Sequence, residues 1–532
     1  MLTIASGVLP LRVPIGAGLA VSLALVGCGG GGGGGGNSLD DPLFRDQWHL
    51  ENRGQFDSAA TGEDINVVAA WDQGASGRDV KVAVVDTGVE IDHEELRGRT
   101  DLGLNWDFVS GGDGDPTPPR LDGLEHGTAV AALIGAESDN LLGGKGVAHG
   151  ADLVGVRLLS GGAIPVSDMV DAMLLHGDVI AVSNNSWGHA PDETGEVVDP
   201  IPEWQTAVAT GAQQGRGGKG IVYVWAAGNG GEDFLGNALD NSNYDFQANN
   251  RHVIAVGALD ARGVKTFYSE KGANLLVSAP GGTPELGITT ADFMGRNGAN
   301  DGTSDVDYAD SAYTKHFLGT SAATPVVAGV VALMLEANPD LSWRDVRMIL
   351  AESARRNDPT DSDWASTVPA AGQPVYHVNH KYGFGAVDAQ AAVALARGWV
   401  PVVAPRAEAS YSSGPLNVPI EDFSATGVTS SVTVDLPVVI EHVAVEVSII
   451  HEDIGDLEIV LRSPWGTESV LAEPHRCVGG DGKCDSAFNP WTFGSVRHLG
   501  EEAAGPWQLT VADRVNGNVG DFIRWELTVY GR

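Results

Sequence analysis

Three side chains of complementary chemistry stand in three separate stretches of this chain. They are Asp86 in "VKVAVVDTGVEIDHEEL", His126 in "LEHGTAVAALIGA" and Ser321 in "LGTSAATPVVAGVVALMLEA". A serine hydroxyl is a weak nucleophile until a base takes its proton. Histidine titrates near neutrality and can be that base, and a carboxylate can fix the imidazole tautomer and stabilise its charged form. Each residue alone also has an ordinary reading: a turn aspartate at a strand end, a polar histidine, an N-capping serine. Together they would perform acyl transfer through a covalent acyl-enzyme.

The surrounding residues say which elements must hold them. Asp86 ends an apolar run, and the carboxyl ends of strands in open α/β sheets are where ligands and reactive groups collect. His126 opens a helix of small residues. Ser321 opens a helix apolar on nearly every face, with Pro325 expected in its first turn, where proline costs little. So apolar a helix must be buried, and its first turn presents orphan N–H groups and the positive end of the helix dipole to a cleft.

From Asp41 to about Trp399, short β-branched runs ("DVKVAVVD", "ADLVGVRLL", "GIVYVWAAG", "HVIAVGAL") alternate with helical segments. Strands apolar on both faces imply a mostly parallel sheet with helices on both sides, the α/β class. We place this domain at residues 41–400 and a Pro/Ala-rich linker at 401–409. Beyond it the period falls to two: Val443, Val445, Val447 and Ile449; Leu457, Ile459 and Leu461; Leu509 and Val511; Trp525, Leu527 and Val529. That alternation predicts a separate all-β sandwich of jelly-roll type over 410–532.

With 532 residues the chain has room for two to four domains. A formal charge of −38 and a pI near 4.5 argue against nucleic acid as a partner and favour cationic partners and divalent cations. Of three cysteines, Cys477 and Cys484 lie close together in "CVGGDGKC", either as a small disulfide or as two reduced thiols. Residues 1–27 carry one basic side chain, Arg12, and an apolar run from Val13 to Val26, short for a membrane span and suited to a signal-peptide core. "LVGC" resembles the lipobox of bacterial lipoproteins, which implies lipidation of Cys28, with an uncleaved anchor as the alternative. Residues 28–40 would then be the lipidated cysteine and a tether, the glycine run Gly29 to Gly36 reaching roughly 15 Å. An exported protein held at a membrane face of the bacterial cell envelope is the expectation.

The order Asp86, His126, Ser321, with the stretches quoted for them, resembles the subtilisin-like serine proteases. "VWAAGNGG" is similar to that family's oxyanion loop, which implies that the Asn229 amide faces the backbone N–H of Ser321. The segments around Ser160 and Gly161 ("LLSGG") and around Ser186, Trp187 and Gly188 ("NNSWG") look like the two edges that pair with an extended substrate. "DDPLFRDQWHLEN", "GDLEIVLRSPWGTESVL" and "GPWQLTVADRVNGNVGDFIRWELTVYG" resemble the kexin and furin branch, the proprotein convertases with a C-terminal P domain. That resemblance implies cleavage after Arg or Lys, with Asp245 and Asp192 as pocket acids and Asp171 reading the fourth residue before the cut. Many eukaryotic convertases carry an acid after the first triad residue, where this chain has Thr87, so a strict dibasic requirement is not expected.

The same resemblance implies Ca2+ at Asp41, Glu95 and Asn140 with carbonyls of Glu137, Leu142 and Gly144, all oxygen donors as a hard cation requires. A second site would use Glu270 with Asp192 and Asp233. Only Gly29 to Asp40 separate the lipobox from the domain's start, too little for the family's prodomain. A folding helper or inhibitor on another chain, or calcium, is expected in its place. The expected function is a calcium-stabilised, membrane-tethered serine endopeptidase acting on proteins or peptides with basic residues. The alternative is a surface adhesion protein that uses the protease fold as a scaffold.

Overall fold

Seven segments of the first domain pair in parallel: β1 Lys81–Asp86, β2 Trp106–Asp107, β3 Asp152–Arg157, β4 Val182–Asn185, β5 Val222–Ala226, β6 Val253–Leu259 and β7 Leu275–Pro280. Their spatial order is β2-β3-β1-β4-β5-β6-β7. The computed structural model describes residues 41–532 apart from 113, 122, 189–192, 234, 403–405, 479–482, 485 and 486. The expected leader 1–27, Cys28 with its tether to residue 40, and Asp192 lie outside the described residues. Strands β4 to β7 are buried at every position, as a sheet covered on both faces requires.

Among the described residues, seven helices accompany the sheet: α1 Val67–Trp71, α2 His126–Gly135, α3 Val166–Leu174, α4 Pro202–Gly218, α5 Thr320–Ala337, α6 Trp343–Ser353 and α7 Ala389–Gly398. Helix α5 is the centre of the core, packing on α2 and α7 and against β4 to β7. Its residues from Ala322 to Leu335 are all buried, including Val326, Val327, Val330, Val331, Leu333, Met334 and Leu335. Burying those seven large side chains is worth on the order of 10–20 kcal/mol. Among the described residues, α5 is also the one helix long and apolar enough to cross a membrane, and the core of this domain already surrounds it.

Sheet register aligns the carboxyl ends of the central strands. Val85 pairs with Asn185, and Asn185 with Trp225, so the segments after β1, β4 and β5 emerge side by side. Strand order reverses between β1 and β4, the topological switch point at which open α/β sheets form clefts. Two small antiparallel pairs complete the domain: β8 Ile288–Ala291 with β9 Tyr313–Phe317, and β10 Ala365–Ser366 with β11 His377–Val378.

The second domain is antiparallel throughout. Strands β12 Ala407–Ser412, β13 Val418–Ile420, β15 Ile440–His451, β18 Ala487–Ser495 and β20 Gly520–Gly531 form one sheet. Strands β14 Val428–Val434, β16 Leu457–Arg462, β17 Glu468–Ala472 and β19 Gly505–Asp513 form the other. Every residue of the expected period-two set, from Val443 to Val529, is buried between them. One boundary is corrected: β12 takes in residues 407–409 of the expected linker, because alternate residues there pair with the long edge of β20.

The sandwich is seated on the α/β domain by specific contacts. Trp491 Nε1 donates to Asn243 O at 3.1 Å, Asn243 Nδ2 to Gly494 O at 2.9 Å, and Val496 N to Ala273 O at 2.9 Å. Arg344 on α6 grips Glu441 on β15 through two bonds of 2.8 and 2.7 Å.

Candidate active site

Asp86 ends β1 with no exposed surface. His126, the first residue of α2, donates Nδ1–H to Asp86 Oδ1 at 2.8 Å, and Oδ1 also accepts from Thr87 N at 2.7 Å. Thr87, the residue expected to bear on substrate preference, spends its hydroxyl structurally. It donates to Leu124 O at 2.9 Å and accepts from Gly127 N at 3.0 Å, tying the end of β1 to the start of α2. Glycine at 127 permits this approach, since a Cβ there would overlap the Gly88 carbonyl oxygen. Burial pulls the His126 pKa down, but the charge and hydrogen bond of Asp86, with the charge of Glu125, outweigh it and the net shift is upward from 6.5. The imidazole keeps 17% of its side-chain surface exposed, packed edge-on against Phe317.

Ser321 is the second residue of α5, and Gly319, at φ +113°, is the cap. Its hydroxyl donates to Ser186 O at 3.2 Å, while Ser186 Oγ donates back to Ser321 O at 3.1 Å. That second bond explains Pro325, which lies in the second turn of α5 rather than in the first. A proline leaves the carbonyl four residues earlier without its helical donor. Here that carbonyl belongs to Ser321, and the Ser186 hydroxyl satisfies it.

Asn229 follows β5. A Cβ at Gly319 would stand 3.3 Å from Asn229 Oδ1 and 3.5 Å from Ser321 N, so the amide and the first-turn N–H border one small space. Asn229 Oδ1 accepts from Thr320 N and Thr320 Oγ1 at 2.9 and 3.0 Å, and its side chain also bonds the Glu193 carboxylate. Beneath the edge formed by Ser186, Trp187 and Gly188, Trp187 packs on Trp225, which in turn meets Trp204. Trp225 Nε1 donates to Trp187 O at 2.7 Å. Ser160, Gly161 and Asp171 are exposed, the first two beyond β3 and Asp171 on α3.

An acidic cluster lies under the Asn229 loop. Glu270 is buried, accepts from Gly230 N at 3.0 Å and fills the space a Cβ at Gly228 would need. Asp245 and Asp240 are buried as well. Asp240 accepts from Gly195 N at 2.8 Å, and the Asp245 and Glu193 charges act on it. Burial drives the carboxyls of Asp240, Asp245 and Glu193 upward. Asp233 is half-buried and caps its own loop, accepting from Leu235 N and from Asn237 N and Nδ2. Sequence reasoning missed Asp240 and Glu193. The signal for Asp240 was its place five residues before Asp245 in one Asn/Ser-rich stretch, and Glu193 adjoins Asp192.

The other predicted carboxylates converge at the domain's start. Asp41 is buried, with Oδ2 accepting from Asp139 N at 2.8 Å and Oδ1 from Asn140 N and Leu141 N at 3.0 and 3.1 Å. Glu95 accepts from Asn140 Nδ2 at 3.2 Å and lies 3.1 Å from the Tyr313 hydroxyl. Burial, with the nearby charges of Asp41 and Glu94, pushes Glu95 up to about 8. Glu137 N donates to Glu95 O at 3.0 Å, and Leu142 and Gly144 close the same loop. Two buried carboxylates share this loop with the Asn140 amide and with one cation, Lys145 Nζ, 3.9 Å from Asp41 Oδ2, and their oxygens are donors of the kind a hard divalent cation takes. In the sandwich, Cys477 and Cys484 are joined as a disulfide with their Cα atoms 5.1 Å apart.

The subtilase family matches residues 77–385, and the proprotein convertase P-domain matches residues 440–529. Human proprotein convertase subtilisin/kexin type 7 is 35% identical over 511 residues, which is 92% of this chain and 60% of that protein. Rat furin is 33% identical over 506 residues, 92% of this chain and 58% of that protein. The chain thus spans about three fifths of the length of these relatives. Among solved structures, the serine protease of Aeromonas sobria in complex with its chaperone aligns at 29% identity and a TM-score of 0.79, covering 93% of this chain and 95% of that one. Sequence and fold agree: this chain belongs to the subtilase family and carries a proprotein convertase P-domain after the subtilase domain.

Proposed function

We propose that the protein is a serine endopeptidase that cleaves extended peptide segments after Arg or Lys. The observation that carries this reading is the 2.8 Å bond from His126 Nδ1 to Asp86 Oδ1, at the switch point of the sheet and beside the first turn of α5. With Nδ1–H committed to Asp86, Nε2 is the free base. The Ser321 hydroxyl turns from Ser186 O toward it, gives up its proton and attacks the scissile carbonyl carbon. Asn229 Nδ2 and Ser321 N hold the oxyanion, which requires the Asn229 amide to leave Glu193. His126 then protonates the leaving amine, and water releases the acyl group by the same steps reversed.

The buried acids Asp240 and Asp245, with Glu193, support a cationic residue before the cut, since an Arg or Lys side chain would supply the charge the cluster lacks. Asp192 belongs to the same expected pocket, Glu270 to the expected second calcium site beside it, and Asp171 bears on the fourth residue before the cut. Calcium would be held by Asp41, Glu95 and Asn140 with carbonyls from the loop of Glu137, Leu142 and Gly144. Bound there, it supplies charge neutralisation that pins the chain's start to the loop after α2. We further propose export, a lipid tether at Cys28 and a separate folding helper. The chaperone in the Aeromonas sobria complex supports the last of these by analogy.

The deciding experiment offers the purified protein peptides with Arg, Lys, Leu or Phe before the scissile bond, with calcium or a chelator, beside a Ser321→Ala control. Cleavage after Arg and Lys, lost in the control, is the expected result. Cleavage after Leu or Phe would remove the acidic-pocket assignment, and cleavage by Ser321→Ala would remove the mechanism.

A further inference from the structure

Where the sandwich meets the α/β domain, arginines gather that the catalytic reading does not use. An open cleft is lined by Arg251 just before β6, Arg344 and Arg347 on α6, Arg406 just before β12, Glu441 and His442 on β15 and Tyr530 on β20. In a chain whose formal charge is −38, this is a local excess of cations. Arg344 and Arg532 are both spent on Glu441, and Arg406 pairs with Glu408. Arg347 is buried and donates to the Val253 carbonyl, which carries no charge. Arg251 has no acceptor among the described residues and rests over the Tyr530 ring at 4.4 Å, with Arg406 over the same ring at 5.5 Å. Five arginines therefore answer to two carboxylates.

Two unpartnered polar atoms point to the same deficit. Arg406 Nε and His442 Nδ1 are buried without a hydrogen-bond partner. Such atoms give up their water on burial and gain no partner in return, which is more costly for a charged group. The local field agrees: burial and the charges of Arg347 and Arg251 drive His442 far below its ordinary value. Burial and the charges of Arg251, Arg406 and Arg347 drive His252 down to about 2. Residues 403–405 of the adjoining linker are Val, Ala and Pro, so no acid comes from there.

We propose that this cleft binds a small dianion of the phosphate or sulfate class, held by Arg251, Arg347 and Arg406 and bridging the α/β domain to the sandwich. Guanidinium forks match tetrahedral oxyanions in geometry and charge, and a neutral His442 can turn an N–H toward the same ligand. Because Arg251 and Arg347 belong to the α/β domain, His442 to the sandwich and Arg406 to the linker just before β12, the anion fastens the interface. The inference does not rest on the proposed proteolysis.

The test is isothermal titration of the purified protein, carrying Ser321→Ala against self-digestion, with sodium sulfate and separately with glycerol 3-phosphate, at constant ionic strength set by sodium chloride. Sulfate does not precipitate calcium at millimolar levels, so the metal stays present. We expect saturable binding of one equivalent, a rise in thermal midpoint, and a dissociation constant weakened about tenfold or more in Arg251→Gln and Arg406→Gln. Both side chains are partly at the surface, and Arg251→Lys, which keeps the charge, should fold and retain part of the affinity. Binding of sulfate alone identifies a free inorganic anion as the occupant, and binding of glycerol 3-phosphate alone identifies a phosphate monoester. No heat beyond the chloride control would overturn the proposal, as would binding unchanged in both Gln variants.

Discussion

At the scale of single residues, the pH profile of the proposed protease is set by His126. A protonated imidazole cannot take the Ser321 proton, and the net shift of His126 is upward. The acid limb of kcat/KM should therefore have its midpoint above 6.5, read from a pH–rate profile. The same shift bears on stability with a definite sign: a raised folded-state pKa contributes stability below 6.5 that fades as pH rises through the folded value. Asp86→Asn should keep the fold but release the imidazole tautomer, lowering kcat about 10,000-fold. Asn229→Leu should lower kcat about 100- to 1,000-fold with KM little changed, because its amide is called on only as the oxyanion forms.

At the scale of elements, catalytic geometry depends on how closely α2 approaches the end of β1. Gly127→Ala would push its Cβ into the Gly88 carbonyl, so the helix must shift, and His126 with it. The expected cost is about 1–3 kcal/mol in stability together with a loss of kcat, measured by thermal unfolding and steady-state kinetics. The loop after α2 is a second such element. If calcium is held at Asp41, Glu95 and Asn140, a chelator should lower the thermal midpoint of the native protein and have little effect on Glu95→Gln, which has already lost a carboxylate ligand.

For the whole molecule, the question is what joins the two domains. Lys271 of the α/β domain lies 2.7 Å from Glu473 of the sandwich, with His380 at 3.5 Å. Burial would raise the Glu473 carboxyl, but the His380 bond and the charges of His380 and Lys271 more than offset it and hold it at about 2. Burial drives His380 itself toward its neutral form, so the lasting cation is Lys271. With His380 neutral near pH 7, Lys271 is the cation that stabilises the carboxylate there, and that stabilisation is lost as pH falls through about 2. Glu473→Gln should accordingly lower the thermal midpoint at neutral pH and flatten the acid dependence of unfolding as pH falls toward 2. The same segment reaches the cleft: His475 Nε2 lies 2.9 Å from Gly195 O, and Val478 N donates to Thr194 O at 2.8 Å, next to Glu193.

Much of this was legible in the residues themselves, because local chemistry and periodicity are written locally. The apolar run before Asp86 had to be a buried strand, the all-apolar helix after Ser321 had to be central, and the period of two from Val443 to Val529 had to be a sandwich face. The motifs around Asp86, His126, Ser321 and Asn229 were legible for the same reason. What depends on distant segments meeting was not. Pro325 reads as a tolerated first-turn residue until Ser186, brought up by β4, is seen to satisfy the carbonyl that the proline frees. Asp233 and Asp240 look alike in sequence, and only the path of the loop after Asn229 decides that Asp240 is buried beside Asp245 while Asp233 caps an exposed turn. The arginines at 251, 347 and 406 stand apart along the chain in a strongly acidic protein. They become a cationic cleft only when β12, β15 and β20 are laid against α6, because charge density belongs to the tertiary surface and not to composition.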